Sequence, residues 1–280
     1  MRTQSLLLLA GASLFAAVVT RNTCEAAPKA KAGKSTAACG ATILPLVEGN
    51  NWTYSQGSAA IPEATAKTTP AMPKSFVITV DKIEQSGADT IVHLSEKYTY
   101  DFSKDPRKPT LEDRTVNTTI TCNDKKFDIS PDSFFFSAEA GGYLGMKIED
   151  VQKKGTTWQL KGGTFGEQAW ADDLTFKWTK VPHEKSSAKP ITGKLEMERR
   201  FQPAEPEKVI TKVAVYEKAE KLIIQVTGRV TLDAPLQADA KPFELPKDLN
   251  NALWFVTGTG VVQSLNSYGQ QFVLVDSNVK

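Results

Sequence analysis

The side chains that most often perform chemistry are sparse in this chain, and their spacing decides what each can do. The histidines are His93 and His183. His93 falls mid-strand on the polar side of an alternating run, and His183 falls in a Pro/Lys/Ser-rich loop. Neither has a His, Cys or acidic neighbour at metal-ligand spacing, so both read as solvated rings and no metal site is expected. Gly33-Lys34-Ser35 imitates the end of a phosphate loop, but Pro28 stands where such a loop needs its first glycine. Gly258-Thr259-Gly260 lacks the third glycine and the following helix of a dinucleotide fingerprint. Ser186-Ser187-Ala188-Lys189 has the Ser-x-x-Lys spacing of penicillin-binding enzymes, with Ser186 as nominal nucleophile. It lies between Pro182 and Pro190 in a charged loop, not at the helix start which that chemistry uses. The acids Asp172-Asp173, and Glu196 with Glu198, suit a wetted strand or turn. No sequence offset sets the spatial separation of carboxylates that a glycosidase needs. The residues therefore predict no catalytic group, no cofactor and no enzyme.

Cysteine chemistry is more informative because the N-terminus reads as an export signal. Arg2 supplies a positive start, Leu6 to Val19 is uninterrupted apolar or small sequence, and polar residues 20–23 close it. The run is shorter than the roughly 20 residues that span a bilayer. Cleavage after Ala26, with Cys24 two residues before it, satisfies the small-residue rule. Arg21, Asn22 and Thr23 precede Cys24, and an arginine at the first of these positions argues against lipidation. The expected organisation is a signal peptide at 1–26, a disordered leader at 27–38 and a single β-rich domain at 39–280. The protein is expected to be exported, periplasmic or secreted, with no stable membrane span. Such cleavage leaves Cys39 and Cys122, and an even pair in an oxidising compartment most often forms a disulfide.

Composition sets further bounds. Hydrophobic residues make up 40% of the 280 and charged residues 24%, which are ordinary globular values. The formal net charge is +2, and losing Arg2, Arg21 and Glu25 would leave +1. That balance gives no electrostatic case for nucleic acid.

The elements that must position any site are strands. In Asp89 to Phe102, Val92, Leu94, Tyr98, Tyr100 and Phe102 share one face. In Lys221 to Leu232, Leu222, Ile224, Val226, Val230 and Leu232 do the same. Further strands are expected at 75–83, 111–122, 125–129, 156–160, 174–181, 191–201, 208–216, 253–257, 261–265 and 271–275. Short helical turns are expected near 131–137 and 165–171. The fold class is all-β: a mostly antiparallel curved sheet, an open half-barrel or barrel with few short helical segments. A two-sheet sandwich is the alternative.

Two stretches carry a family resemblance. Leu44-Pro45-Leu46-Val47-Glu48-Gly49-Asn50-Asn51-Trp52-Thr53-Tyr54 stands near the start, and Leu253-Trp254-Phe255-Val256-Thr257-Gly258-Thr259-Gly260-Val261-Val262 near the end. They resemble the P-L-x-x-G-N-x-W-x-Y opening and W-[YF]-x-x-G-x-G-[VL]-V closing of uncharacterised exported bacterial proteins with a DUF3108-like β-fold. Gly162-Gly163-Thr164-Phe165 is similar to a G-T-[FY] segment of the same proteins, whereas 182–250 departs from their pattern. The resemblance implies a fold and is nearly silent on activity. Physically, Gly49-Asn50 reads as a turn, and Gly258 and Gly260 as a bulge or a close approach to Trp254.

The functional expectation is a non-enzymatic binding protein. Trp52, Tyr54, Tyr98, Tyr100, Phe102 and Trp254 are the candidate walls of a groove for a lipophilic or other small ligand. The same aromatics would equally serve as core. The alternative is a structural or protein-interaction component of the envelope or secreted matrix, with an envelope protein as partner.

Overall fold

The computed structural model describes residues 37–40, 42–58, 72–103, 107–108, 110–123, 126–137, 146–155, 160–161, 164–180, 189–233, 243–244 and 249–279. The expected signal peptide 1–26, most of the leader 27–38, Gly162-Gly163, His183 and Ser186 lie outside these residues.

Period-two sequence has become strand almost everywhere. A 3-10 turn, Ala38–Gly40, precedes β1 (Asn51–Gln56), β2 (Ser75–Ser86), β3 (Asp89–Asp101), β4 (Leu111–Cys122) and β5 (Phe127–Ile129). Next come β6 (Met146–Gly155), β7 (Leu160–Lys161), β8 (Thr164–Phe165), β9 (Trp170–Lys180), β10 (Ile191–Ile210) and β11 (Val215–Leu232). The last are β12 (Phe243–Glu244), β13 (Leu249–Val256), β14 (Gly260–Leu265) and β15 (Gln271–Ser277). All but the small β7–β8 pair belong to one sheet, ordered β5-β4-β3-β2-β1-β15-β14-β13-β11-β10-β9-β6, with β12 also on β11. Adjacent strands are antiparallel throughout, as one-face burial predicts.

Several local expectations shift. The segment 208–216 is not one strand but the turn of a long hairpin. Val209 pairs with Tyr216 and Ile210 with Val215, and Thr211 N–H donates to Ala214 O across the bend. The 131–137 segment adopts turns, not a helix, and 165–171 passes from β8 through a bend into β9. Strand β6 was missed because its charged, bulged sequence hides the alternation.

The two resemblance motifs meet in space. β1 pairs with β15, and Trp52 reaches past that neighbour to donate its indole N–H to Thr259 O. Tyr54 donates its hydroxyl to Val261 O at 2.8 Å, and Gly258 N–H donates to Thr42 O at 2.8 Å. Gly260 lies at φ +99°, and a Cβ there would come 2.8 Å from Trp52 Nε1. The close approach is thus to Trp52 and not to Trp254, while the expected bulge lies at Trp254/Phe255.

The interior is filled from within the chain. After β5 the segment Pro131–Ser137 turns beneath the sheet and buries Phe134, Phe135 and Phe136 completely. Phe134 packs on Phe76 and Tyr54 at ring-centroid distances of 4.7 and 5.3 Å. Phe135 meets Trp52 edge-on at 5.5 Å, and Phe136 meets Phe255 at 5.7 Å. Phe136 does so at φ +66°, a left-handed conformation that costs a non-glycine residue about 1 kcal/mol or more. A second apolar cluster lies further along the long strands: Leu174, Phe176, Trp178, Leu195 and Met197.

Cys39 and Cys122 are joined in a disulfide with Cα atoms 5.6 Å apart. It ties the segment before β1 to the end of β4 across 83 positions of sequence. Closing a loop of that length removes unfolded-state entropy equivalent to roughly 4 kcal/mol. We therefore expect Cys39→Ser/Cys122→Ser, or reduction of the intact protein, to lower unfolding free energy by about 4 kcal/mol, read by urea denaturation with and without reductant.

Candidate functional site

β3 alternates Val92, Leu94, Glu96, Tyr98 and Tyr100 toward the core. One member of that apolar register is a carboxylate, and Glu96 is 0% exposed. Burial alone would make it intolerable, so every oxygen must find donors. Glu96 Oε1 accepts from Ser133 Oγ at 2.7 Å, Thr118 Oγ1 at 3.1 Å and the Phe134 backbone N–H at 3.1 Å. Oε2 accepts from the same N–H at 3.0 Å and from the Tyr98 hydroxyl. Burial raises the Glu96 pKa above its ordinary value, and the hydrogen bonds from Tyr98, Ser133, Phe134 and Thr118 oppose that shift. The far end of the same segment is held by Asn251, whose side-chain amide donates to Ser137 O at 2.7 Å. Glu96 and Asn251 thus fix the aromatic plug 131–137 at both ends.

A second buried charge group sits where the two apolar clusters meet. β9 runs Trp170, Asp172, Leu174 inward, and β10 runs Met197, Arg199, Phe201 inward, with Asp172 paired to Arg199 in register. Trp170 and Phe201 belong to the larger cluster, Leu174 and Met197 to the smaller. Arg199 Nε donates to Asp172 Oδ1 at 2.8 Å, and its NH2 group to Oδ2 at 2.6 Å. This fork-on-fork geometry is the strongest carboxylate contact available to arginine. Lys153 of β6 joins at 3.4 Å from Asp172 Oδ2 and also donates to Asp128 of β5 at 2.7 Å. Burial lowers the Lys153 pKa, against the pull of Asp128 and Asp172. β5 and β6 are the two ends of the sheet order, so this lysine links its open edges by charge rather than by a backbone ladder.

The aromatic residues expected to line a groove do not share one. Trp52, Tyr54 and Tyr98 are fully buried, and their polar atoms bond to Thr259 O, Val261 O and Glu96. Tyr100 stacks on Phe102 at 5.8 Å, and the Arg114 guanidinium lies 5.3 and 5.5 Å from the two ring centroids. Phe102 is the exposed member, at 46%. Trp254 is buried in the same apolar cluster as Trp52, Tyr54, Tyr98 and Tyr100. Its indole N–H donates to Glu207 Oε2 at 2.9 Å, and Lys221 Nζ sits 5.1 Å from its ring. His93 Nε2 is 3.1 Å from Glu84 Oε1 on the outer face. Among the described residues, no group of three or more His, Cys, Asp or Glu is arranged to hold a metal ion.

An open cavity of about 700 Å³ lies where β10 bulges at Pro203-Ala204-Glu205-Pro206, beside Phe165 and β11. The prolines cannot donate to a ladder, which is why register breaks there. Glu167, Glu205 and Glu220 face the cavity. Burial raises the Glu220 pKa, and the Phe165 backbone N–H bond opposes it.

Sequence reasoning passed over Glu96 and Arg199 and read Asp172 as a wetted acid, whereas Asp172 is buried; each carries the same signal, a charge in phase with an apolar strand face. A carboxylate or guanidinium at such a position has either a buried partner or no stable fold.

No family model matches the chain, and no curated protein matches its sequence. Two crystal structures align with most of it. One, of a predicted lipoprotein from Parabacteroides distasonis, is 12% identical over 84% of this chain and 98% of its own, with a TM-score of 0.47. The other, a predicted exported protein with a YmcC-like fold from Bacteroides fragilis, is 13% identical over 83% and 96%, with a TM-score of 0.44. Likenesses at this level carry no functional argument. The DUF3108-like resemblance rests on its motifs alone, and no family model bears it out.

Two stability outcomes follow from the buried charges. Because Glu96 binds its proton more tightly when folded, its contribution is fullest below the ordinary glutamate pKa of about 4.3 and declines as pH rises through the raised value. The stability of the wild type relative to Glu96→Gln should therefore fall with rising pH across that window in urea titrations. Glu96→Ala, which strands the Phe134 N–H, Ser133, Thr118 and Tyr98 donors, should cost about 3 kcal/mol or more. Asp172→Ala should cost about 3–5 kcal/mol by leaving Arg199 buried and unpaired, whereas Asp172→Leu/Arg199→Met should recover most of that loss.

Proposed function

We propose that the protein is an exported, non-enzymatic component of the envelope or secreted matrix that works through its surface and not by carrying a ligand inside its sheet. One observation carries this reading. The space that a lipid carrier would reserve for cargo holds the chain's own Phe134, Phe135 and Phe136, pinned by Glu96 and Asn251. Support for export comes from the N-terminal apolar run with its small-residue cleavage site, and from the Cys39–Cys122 disulfide, a bond that persists in oxidising compartments. Absence of catalysis is proposed because the site-forming charges are spent on structure: Glu96 on the plug, and Asp172 with Arg199 on each other.

A small-ligand reading is favoured by the cavity at the β10 bulge, where Phe165 and two prolines meet three glutamates and Lys221, the last paired with Glu207. That chemistry suits a cationic, partly apolar molecule, not a fatty acyl chain.

Native mass spectrometry of protein purified from its own compartment tests both readings. The expected result is a bare chain beginning after Ala26, about two mass units light for the disulfide. A stoichiometric lipid adduct would overturn the surface reading, and a small cationic adduct would move the function to the bulge cavity.

A further inference from the structure

The β10–β11 hairpin ends in a tip unlike the rest of the surface. Ile210, Val213 and Val215 are exposed at 66%, 47% and 52%. Among other exposed large apolar residues, Val151 and Ile191 stand apart, and Leu111 and Phe102 lie at the end of the β3–β4 pair, where Tyr100 and Arg114 cover Phe102 in part. Ile210 and Val215 are direct cross-strand partners, so their side chains lie together on one face. The tip is preformed. Thr211 Oγ1 donates to Ala214 O and accepts from the Val213 and Ala214 backbone N–H groups, each at 3.1 Å, which closes the turn without help from a partner.

Its net charge is positive. Lys212 stands exposed at the apex, Glu217 is paired with Lys208 at 2.9 Å, and Lys218 is exposed next to it. An apolar apex ringed by lysine matches the two layers of an anionic bilayer: headgroups that attract the lysines and acyl chains that accept the aliphatic side chains. A protein partner fits the same patch poorly. Stable protein interfaces bury about 800 Å² on each side through roughly 20–30 residues, whereas this convex tip offers a handful of side chains and no groove. A fluid bilayer needs no complementary shape.

We propose that the hairpin tip, through Ile210, Val213 and Val215 with Lys212, docks the protein reversibly onto anionic lipid surfaces. This deepens the reading above, resting on its premise that the surface is the working part. Aliphatic contacts this few give weak partitioning, so the docking is peripheral and released by salt.

The test is sedimentation of the disulfide-intact mature protein with vesicles of phosphatidylethanolamine and phosphatidylglycerol, against vesicles of phosphatidylcholine alone. Binding should be roughly tenfold stronger to the anionic vesicles and should fall with added salt. Ile210→Ser/Val213→Ser/Val215→Ser should lower the partition coefficient about 30-fold or more, and Lys212→Glu about tenfold. Urea midpoints of these variants should match the wild type, because the altered side chains are exposed. Failure of the wild type to sediment, or equal binding by the triple variant, would overturn the proposal. So would tip-dependent dimerisation in sedimentation velocity without lipid affinity, which would assign the tip to a second copy. A lipid adduct inside the protein would instead remove the premise about the surface, and the vesicle result would remain independently readable.

Discussion

The structure depends on one carboxylate placed where an apolar residue belongs. Glu96 sits in the inward register of β3, cut off from water, and an unsatisfied charge there would cost more than the whole margin of a typical domain's stability. Its donors have fixed addresses: Tyr98 on its own strand, Thr118 on β4, and Ser133 with the Phe134 N–H on the segment after β5. Satisfying the charge therefore places the segment. Once Phe134 is set, its neighbours Phe135 and Phe136 reach Trp52 and Phe255, drawing both ends of the chain and the middle of the sheet onto one aromatic hub. The curl follows from this: the sheet has an interior because something is nailed inside it.

Asp172 and Arg199 repeat the device on β9 and β10, where they divide two apolar clusters with a layer of charge. Lys153 extends that layer to Asp128 and so to the opposite edge of the sheet. The edges themselves discourage foreign strands. β5 is three residues long, and β6 is bulged at Glu149/Gln152, with Asp150 at φ +54° and Lys147 and Lys154 along it.

Much of this was legible beforehand, and the limits have physical causes. Alternation located β3, β4 and β15 within a residue or two, because a half-buried strand must place every second side chain inward. The two cysteines that the expected cleavage would leave anticipated the Cys39–Cys122 bond. The Gly49 turn was readable as a turn, since its positive φ is what glycine permits, whereas Gly258 and Gly260 suggested a bulge or a close approach without revealing that the approach is to Trp52. The hairpin at 211–214 was not readable. It lacks Gly, Pro and Asn, and its bend rests on Thr211, so a β-branched run passed for continuous strand. The six aromatics separated into core and rim for a reason no alternation pattern contains. Which face is filled depends on the plug, and the plug's sequence, Pro131 to Ser137, reads only as turn or short helix. The buried charges were visible as exceptions in phase with apolar faces, but their partners lie 27 and 38 positions away.

The pairing of β1 with β15 also imposes an order of assembly. Asn51 meets Asn278 across 227 positions, so the edge of β1 has no native partner until β15 has been delivered. Contacts this distant are closed late and slowly. In a chain threaded through a membrane, β1 through β5 emerge first, and the Cys39–Cys122 crosslink lies wholly within that portion. Oxidation can therefore lock the leading half into its meander while the trailing half is still arriving. During that interval the β1 edge that β15 will cover stays open, the kind of edge that invites foreign pairing.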